Sequence, residues 1–150
     1  YDWLERQRGA RVRPGALPAP SSHIDLETLA LEALRDGAFE ESLGSMLAEQ
    51  MASSVDDPEL ATELHTIARE EAQHAELSWQ VLAFALARQP GLAPRLLSEL
   101  ALLSSVAAAL GGAEDASLER AGVPSRATTR ALATRAVREI VAPCLEAALA

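Results

Sequence analysis

The chain has no lysine, one cysteine and very few aromatic residues. Its 13 basic residues are all arginines, and aromatic residues make up 3% of the 150 positions. A single cysteine excludes both an intrachain disulfide framework and a zinc site built on several cysteines. Because Cys144 lies in an apolar stretch, we predict a buried core thiol. A free thiol also favours the cytoplasm over a periplasmic or secreted location.

Long apolar runs and positive net charge are missing as well. No segment reaches the ~18 uninterrupted apolar residues of a membrane helix. The nearest one, LALLSSVAAALGG, is shorter and is interrupted by serines, so no membrane span is predicted. The formal charge of −9 makes nucleic acid and anionic membranes poor partners on electrostatic grounds.

The residues that are present predict an all-α protein. Hydrophobic residues make up 49% of the chain and are mainly Ala, Leu and Val, while Gly and Pro lie between the periodic segments. Residues 1–22 have no period and predict an extended linker, and residues 23–150 predict one helical domain. Its helices are expected over about 24–53, 58–88, 92–110 and 125–149. The first two form an antiparallel hairpin over 24–88, followed by two C-terminal helices.

Two local signals sharpen these boundaries. Asp57 and Pro58 match an N-cap followed by proline at the first helical position, whereas Pro143 predicts a kink near Ala142. Gly37 and Gly44 lie inside the first predicted helix, where each glycine costs ~1 kcal/mol relative to alanine. Close approach of a neighbouring helix or a ligand would explain both glycines.

Each helix of the hairpin carries acidic residues within its apolar stripe. At spacings of three and four, the second helix presents Leu64, Ile67, Glu71, His74, Ser78, Leu82 and Ala85. The corresponding stripe of the first helix contains Ile24, Leu31, Leu34, Ala38, Glu41, Ser45 and Ala48. Glu40 lies one residue away, and periodicity alone does not choose between Glu40 and Glu41.

Carboxylates that face each other inside a hairpin require a positive partner. A buried ionised carboxylate costs several kcal/mol unless it is paired, hydrogen-bonded or bound to a metal. Glu71 and His74 are three residues apart, so both side chains can reach one ion. Mixed oxygen and nitrogen ligands suit iron, manganese or zinc. The alternative is structural, with Glu71 paired to an arginine such as Arg35 and His74 satisfied in the core.

The segments ALRDGAFEESLGSMLAEQMA, DDPEL and IAREEAQHAELSWQVLAFAL together resemble the second helix hairpin of bacterial ferritin-like, rubrerythrin-like carboxylate proteins. The ending ATRAVREIVAPCLEAALA resembles the tail of one group of them. The resemblance implies that Glu41 is the helix-borne metal ligand and that Glu71 and His74 form the family's Glu-x-x-His pair. It further implies a di-iron oxidoreductase of ferroxidase, peroxidase or oxygenase type, with two iron ions per completed bundle and manganese or zinc as possible substitutes.

This chain holds half of such a site. A complete four-helix bundle takes a Glu from each of two helices and a Glu-x-x-His from each of two others, and the last two predicted helices contain no histidine. We expect the other half from a second copy in a homodimer, or from a separate or upstream segment, which the start at Tyr1 favours. The competing hypothesis is a metal-free helical scaffold or assembly subunit that binds a protein partner.

Overall fold

The computed structural model describes residues 25–111 and 122–150, together with Arg6, Gly9 and Leu118. Over the two long ranges the chain forms four long helices, which confirms the all-α class. Helix α1 spans residues 26–52, α2 is Pro58–Arg88, α3 is Ala93–Ala109 and α4 spans residues 126–149. A 3-10 turn, Pro90–Leu92, precedes α3. The linker predicted over 1–22 lies outside the described residues, apart from Arg6 and Gly9.

Side-chain caps start three of the helices where the sequence offers them. The Asp25 carboxylate accepts a hydrogen bond of 2.7 Å from the backbone N–H of Thr28 at the start of α1. The Asp57 carboxylate accepts bonds from the first turn of α2, with Pro58 as the first helical residue. Ser125 caps α4 in the same way. Each cap satisfies N–H groups that have no partner inside the helix.

Two helices contain a π-helical segment that the sequence did not predict. Helix α1 consists of Leu26–Glu32, the π segment Ala33–Glu41 and Ser42–Ala52. Helix α4 consists of Arg126–Arg135, the π segment Ala136–Val141 and Ala142–Leu149. A π turn inserts extra residues and so rotates the side chains that follow it. The π segment of α4 ends at Val141, one residue before Ala142, where Pro143 predicts a kink.

The core lies between the hairpin of α1 and α2 and the two C-terminal helices. Its largest fully buried side chains come from all four helices: Leu34, Leu82, Leu96, Val141 and Leu145. Burying a side chain of this kind contributes ~1.5–3 kcal/mol relative to leaving it exposed. The hairpin is thus covered by α3 and α4 on one side. Its other side carries exposed apolar residues of α2 such as Ile67 and Leu77.

The prediction of a buried Cys144 is wrong, because this side chain is exposed. Val141 and Leu145, four residues apart on α4, are both 0% exposed and take the core positions. Cys144 is displaced around the helix from them and lines a surface groove beside Met46 and Trp79. The apolar composition of this stretch predicted burial, but only one stripe of the helix reaches the core.

Helix α3 is the most apolar helix of the part that the structure describes. Together with its preceding turn, Pro90–Ala109 is the one described helix long and apolar enough to cross a membrane, judged by length and composition. A core helix of a soluble protein meets the same criteria. Helix α3 also carries the buried Glu99, whose side chain binds Arg35. The absence of a membrane span accordingly stays a prediction.

Candidate metal centre

The two hairpin helices approach each other closely at a glycine next to the candidate site. A Cβ atom on Gly37 would lie 2.0 Å from Oγ and 2.5 Å from Cβ of Ser78, which leaves no room for a side chain. A Cβ on Gly44 would lie 3.7 Å from Cγ of Glu71. Position 37 thus faces 78, and 44 faces 71, as expected for antiparallel helices. The predicted reason for these glycines, close approach of a neighbouring helix, holds at Gly37.

This register brings the three predicted ligands together. Between the two glycine contacts, Oε2 of Glu41 lies 3.7 Å from Nδ1 of His74. The same His74 nitrogen lies 3.2 Å from Oε2 of Glu71 and donates a hydrogen bond to it. One donor atom from each of the three residues lies within 4.8 Å of the others. Glu40, the alternative to Glu41, is an exposed residue outside this group.

The donor set fits a divalent cation in both chemistry and size. Glu oxygens and an imidazole nitrogen bind zinc at ~2.0–2.2 Å, so two donors on one ion are at most ~4.4 Å apart. The observed upper limit of 4.8 Å exceeds that value by ~0.4 Å, a difference that a small side-chain rotation would remove. Two carboxylates and one imidazole also suit iron or manganese. Three donors leave further coordination positions for groups from outside the hairpin.

The site lies on the open side of the hairpin, which corrects the prediction of an inward, apolar setting. The Glu41 and Glu71 side chains are 33% and 31% exposed, and that of His74 is 60% exposed. The ends of the α2 stripe are buried at Leu64 and Leu82, but its middle is uncovered. The physical reason is that α3 and α4 both pack on the other side of the hairpin.

The structure also shows the partner of Arg35. Its guanidinium donates two hydrogen bonds, of 3.0 and 2.8 Å, to Oε1 of Glu99 on α3. The alternative in which Arg35 neutralises Glu71 is therefore wrong. Within the described ranges, the ion pairs of Glu41 and Glu71 are both with His74. His65 lies elsewhere on the surface, where it pairs with Glu49.

The three side chains shift one another's protonation. The hydrogen bond with Glu71 raises the pKa of Glu41, and partial burial and repulsion between the two carboxylates add to this. The pKa of Glu71 is lowered, first by its hydrogen bond with Glu41 and then by His74. The hydrogen bond to Glu71 and the charge of both carboxylates raise the pKa of His74. Without a metal, the hydrogen bond between the carboxylates and the pairing of both with His74 reduce the repulsion.

Ser78 is a residue of this region whose role sequence reasoning missed. It belongs to the predicted stripe of α2, but its contact with Gly37 sets the register of the two helices. The Ser78 hydroxyl donates a hydrogen bond to the backbone carbonyl of His74, which accounts for a serine on this stripe. The spacing could have indicated this contact. Gly37 lies four residues before Glu41 and Ser78 four residues after His74, and in antiparallel helices these two positions face each other.

Comparison with protein-family models, curated proteins and solved structures gives no match to this chain. The functional inference therefore depends on the site itself and on the motif resemblance described above.

Proposed function

We propose that the chain is a ferritin-like metal-binding protein whose Glu41, Glu71 and His74 form half of a di-iron carboxylate site. The single observation that carries this proposal is the convergence of three donor atoms within 4.8 Å. They come from two helices, and in the part of the chain that the structure describes the ion pairs of both carboxylates are with His74. Two acidic side chains held together in this way are stabilised by a cation.

Each of the three residues has a defined part in holding the metal. Glu41 supplies an oxygen from α1, while Glu71 and His74 supply an oxygen and a nitrogen from consecutive turns of α2. These are the residues that would hold the metal. Iron held by such donors would supply electrons for the reduction of O2 or peroxide, so the reaction class would be oxidation of iron or of an organic substrate.

The test is metal binding by the purified chain after chelator treatment. Equilibrium dialysis against Mn²⁺, Zn²⁺ or, under anaerobic conditions, Fe²⁺ is followed by elemental analysis. We expect one ion per chain, equivalent to two per completed bundle. Glu71→Ala and His74→Ala each remove a ligand and should weaken binding by more than the ~10–100-fold that follows loss of a residue that merely orients a ligand.

Glu40→Gln is the matched control, because it removes an exposed carboxylate adjacent to Glu41 without touching the donor group. Its metal affinity should equal that of the unmodified chain, whereas Glu41→Gln should weaken binding. Equal losses in the two variants would indicate nonspecific attraction of cations to an acidic surface. No bound metal in the unmodified chain would refute the proposal.

A second candidate function, a metal-free scaffold that binds a protein partner, is supported by a different surface. Leu97, Leu102 and Val106 on α3 are 47%, 55% and 47% exposed. Leu102 and Val106 are four residues apart and form an apolar patch on one side of the helix, whereas Leu97 is turned by ~140° from Leu102. Apolar patches of this kind mark interaction sites. The dialysis experiment separates the two functions, because a scaffold retains no stoichiometric metal.

A further inference from the structure

We propose that the open face of the hairpin is the contact surface for a second copy of this chain, and that metal binding closes the contact. This inference rests on the proposed function and identifies the partner that completes the site. The open face consists of the three donor residues together with the exposed apolar residues of α2, namely Ile67, Leu77 and Phe84, which are 43%, 58% and 46% exposed.

The exposed residues of α2 follow the spacing by which one helix packs against another. Alternating steps of three and four residues run along the helix through Ile67, Glu70, His74, Leu77, Val81 and Phe84. This is the spacing of the two core positions of a heptad. Four of the six residues are apolar, and Val81 alone of these four is partly buried within the chain. The spacing therefore indicates that a helix covers this line.

The position of the donor group favours a symmetric contact between two copies. Helix α2 covers residues 58–88 and α1 covers 26–52, so Glu71, His74 and Glu41 lie near the middle of both helices. A two-fold interface uses the same patch on both subunits, with the axis through its centre. An axis near the donor group would overlap the two hairpins along their whole length and place their apolar residues against each other.

The size of the open face is adequate for a stable dimer. Helix α1 has 27 residues and is ~40 Å long at 1.5 Å per residue. Two helices with axes 8–10 Å apart present a face ~20 Å wide. The resulting footprint of ~800 Å² per copy equals the area that each partner buries in an interface of standard size.

Charge makes this contact conditional on a cation. Bringing two open faces together places four donor carboxylates and two imidazoles around one axis, because each copy contributes Glu41, Glu71 and His74, and Glu70 of each copy lies on the neighbouring turn of the same contact line. The surrounding apolar residues exclude water, which strengthens the repulsion between the carboxylates. Two divalent cations neutralise the four donor carboxylates and remove the repulsion between them. The apolar residues thus favour association in every state, while the donor groups permit it only when metal is bound.

The experiment measures the mass of the 150-residue chain by sedimentation equilibrium, with chelator and with saturating Zn²⁺ or Mn²⁺. We expect the monomer mass of 15.9 kDa without metal and twice that mass with metal. Leu77→Glu should retain stoichiometric metal binding but weaken dimerisation by at least ~100-fold, because an apolar contact is lost twice per dimer. Leu77 is 58% exposed, so this substitution does not disturb the core, which circular dichroism will verify.

Leu102→Glu is the matched control, since Leu102 is 55% exposed but belongs to the apolar patch of α3. It should dimerise with metal like the unmodified chain. A chain that binds metal and stays monomeric would overturn the second-copy proposal while leaving the proposed function intact. Loss of dimerisation in Leu102→Glu but not in Leu77→Glu, or a dimer unaffected by chelator, would also overturn it. A chain that binds no metal would refute both proposals.

Discussion

Glutamates occur in two contrasting settings on the two sides of the hairpin. On the covered side, Glu99 is 3% exposed and receives two hydrogen bonds from the Arg35 guanidinium. On the open side, Glu41 and Glu71 both form ion pairs with His74. The chain thus compensates a buried carboxylate with an arginine where the carboxylate serves packing. Where the carboxylates converge at a surface, it places an imidazole instead, and an imidazole can also bind a metal.

The covered side gives the largest expected effect. Arg35→Ala leaves the Glu99 carboxylate buried without its partner. Removing one member of a buried pair costs ~3–5 kcal/mol, and we expect ~2–4 kcal/mol here because the Arg35 side chain is 46% exposed and water can partly replace it. The measurement is urea unfolding at pH 7. Arg35→Met combined with Glu99→Leu should recover most of the loss. If Arg35→Ala lowers the free energy of unfolding by less than ~1 kcal/mol, Glu99 does not need the arginine charge.

The contact between Gly37 and Ser78 affects both the folding stability of the chain and the positions of the donor residues on the open side. Gly37→Ala places a Cβ 2.0 Å from Oγ of Ser78, so the helices must separate or slide. Such overpacking costs ~1–3 kcal/mol, and we expect metal affinity to fall with stability because Glu41 and His74 lie one turn away.

The double variant Gly37→Ala with Ser78→Gly moves the small residue from α1 to α2. Its comparison with Gly37→Ala alone tests whether the close contact sets the register. The double variant should restore metal binding relative to Gly37→Ala alone, despite the ~1 kcal/mol cost of a glycine within a helix. Ser78→Gly by itself should bind metal normally. If the double variant binds metal no better than Gly37→Ala, the register does not depend on this contact.

The helix boundaries and the donor group were accessible from the sequence because their signals are local. Asp57 and Pro58 fix the start of α2 by hydrogen bonding and backbone geometry, and the spacing of Glu71 and His74 places both side chains on one face. Periodicity did not distinguish Glu40 from Glu41, and only the resemblance implied Glu41. The π segment Ala33–Glu41 departs from the 3.6-residue period in the same region.

Other features depend on contacts between distant residues and could not be predicted from local pattern. Arg35 and Glu99 are 64 positions apart, and many carboxylates were available as partners for this arginine. The stripe of α2 predicted that one face is apolar, but a stripe does not state whether the partner helix belongs to the same chain. For that reason the donor group was expected inside the domain and is found on its open side.

The smallest expected effect concerns the protonation of the open side in metal-free protein. The pKa of His74 is raised, first by its hydrogen bond to Glu71 and then by the charge of Glu41 and Glu71. A raised folded-state pKa stabilises the protein below the unfolded value of ~6.5, and this stabilisation is lost as pH rises through the folded-state pKa. Glu71→Gln removes the charge of the hydrogen-bond acceptor and should lower the pKa of His74, as measured by NMR titration of its ring protons in chelator.

Glu76→Gln, which neutralises an exposed carboxylate five residues further along α2, should leave the titration of His74 unchanged. A His74 titration that does not respond to Glu71→Gln would mean that the imidazole and the carboxylate do not interact in solution, which removes the geometry on which metal binding depends. A metal ion and a proton compete for the same imidazole nitrogen. Metal affinity should therefore rise with pH through the folded-state pKa of His74, while the stability of metal-free protein falls over the same interval.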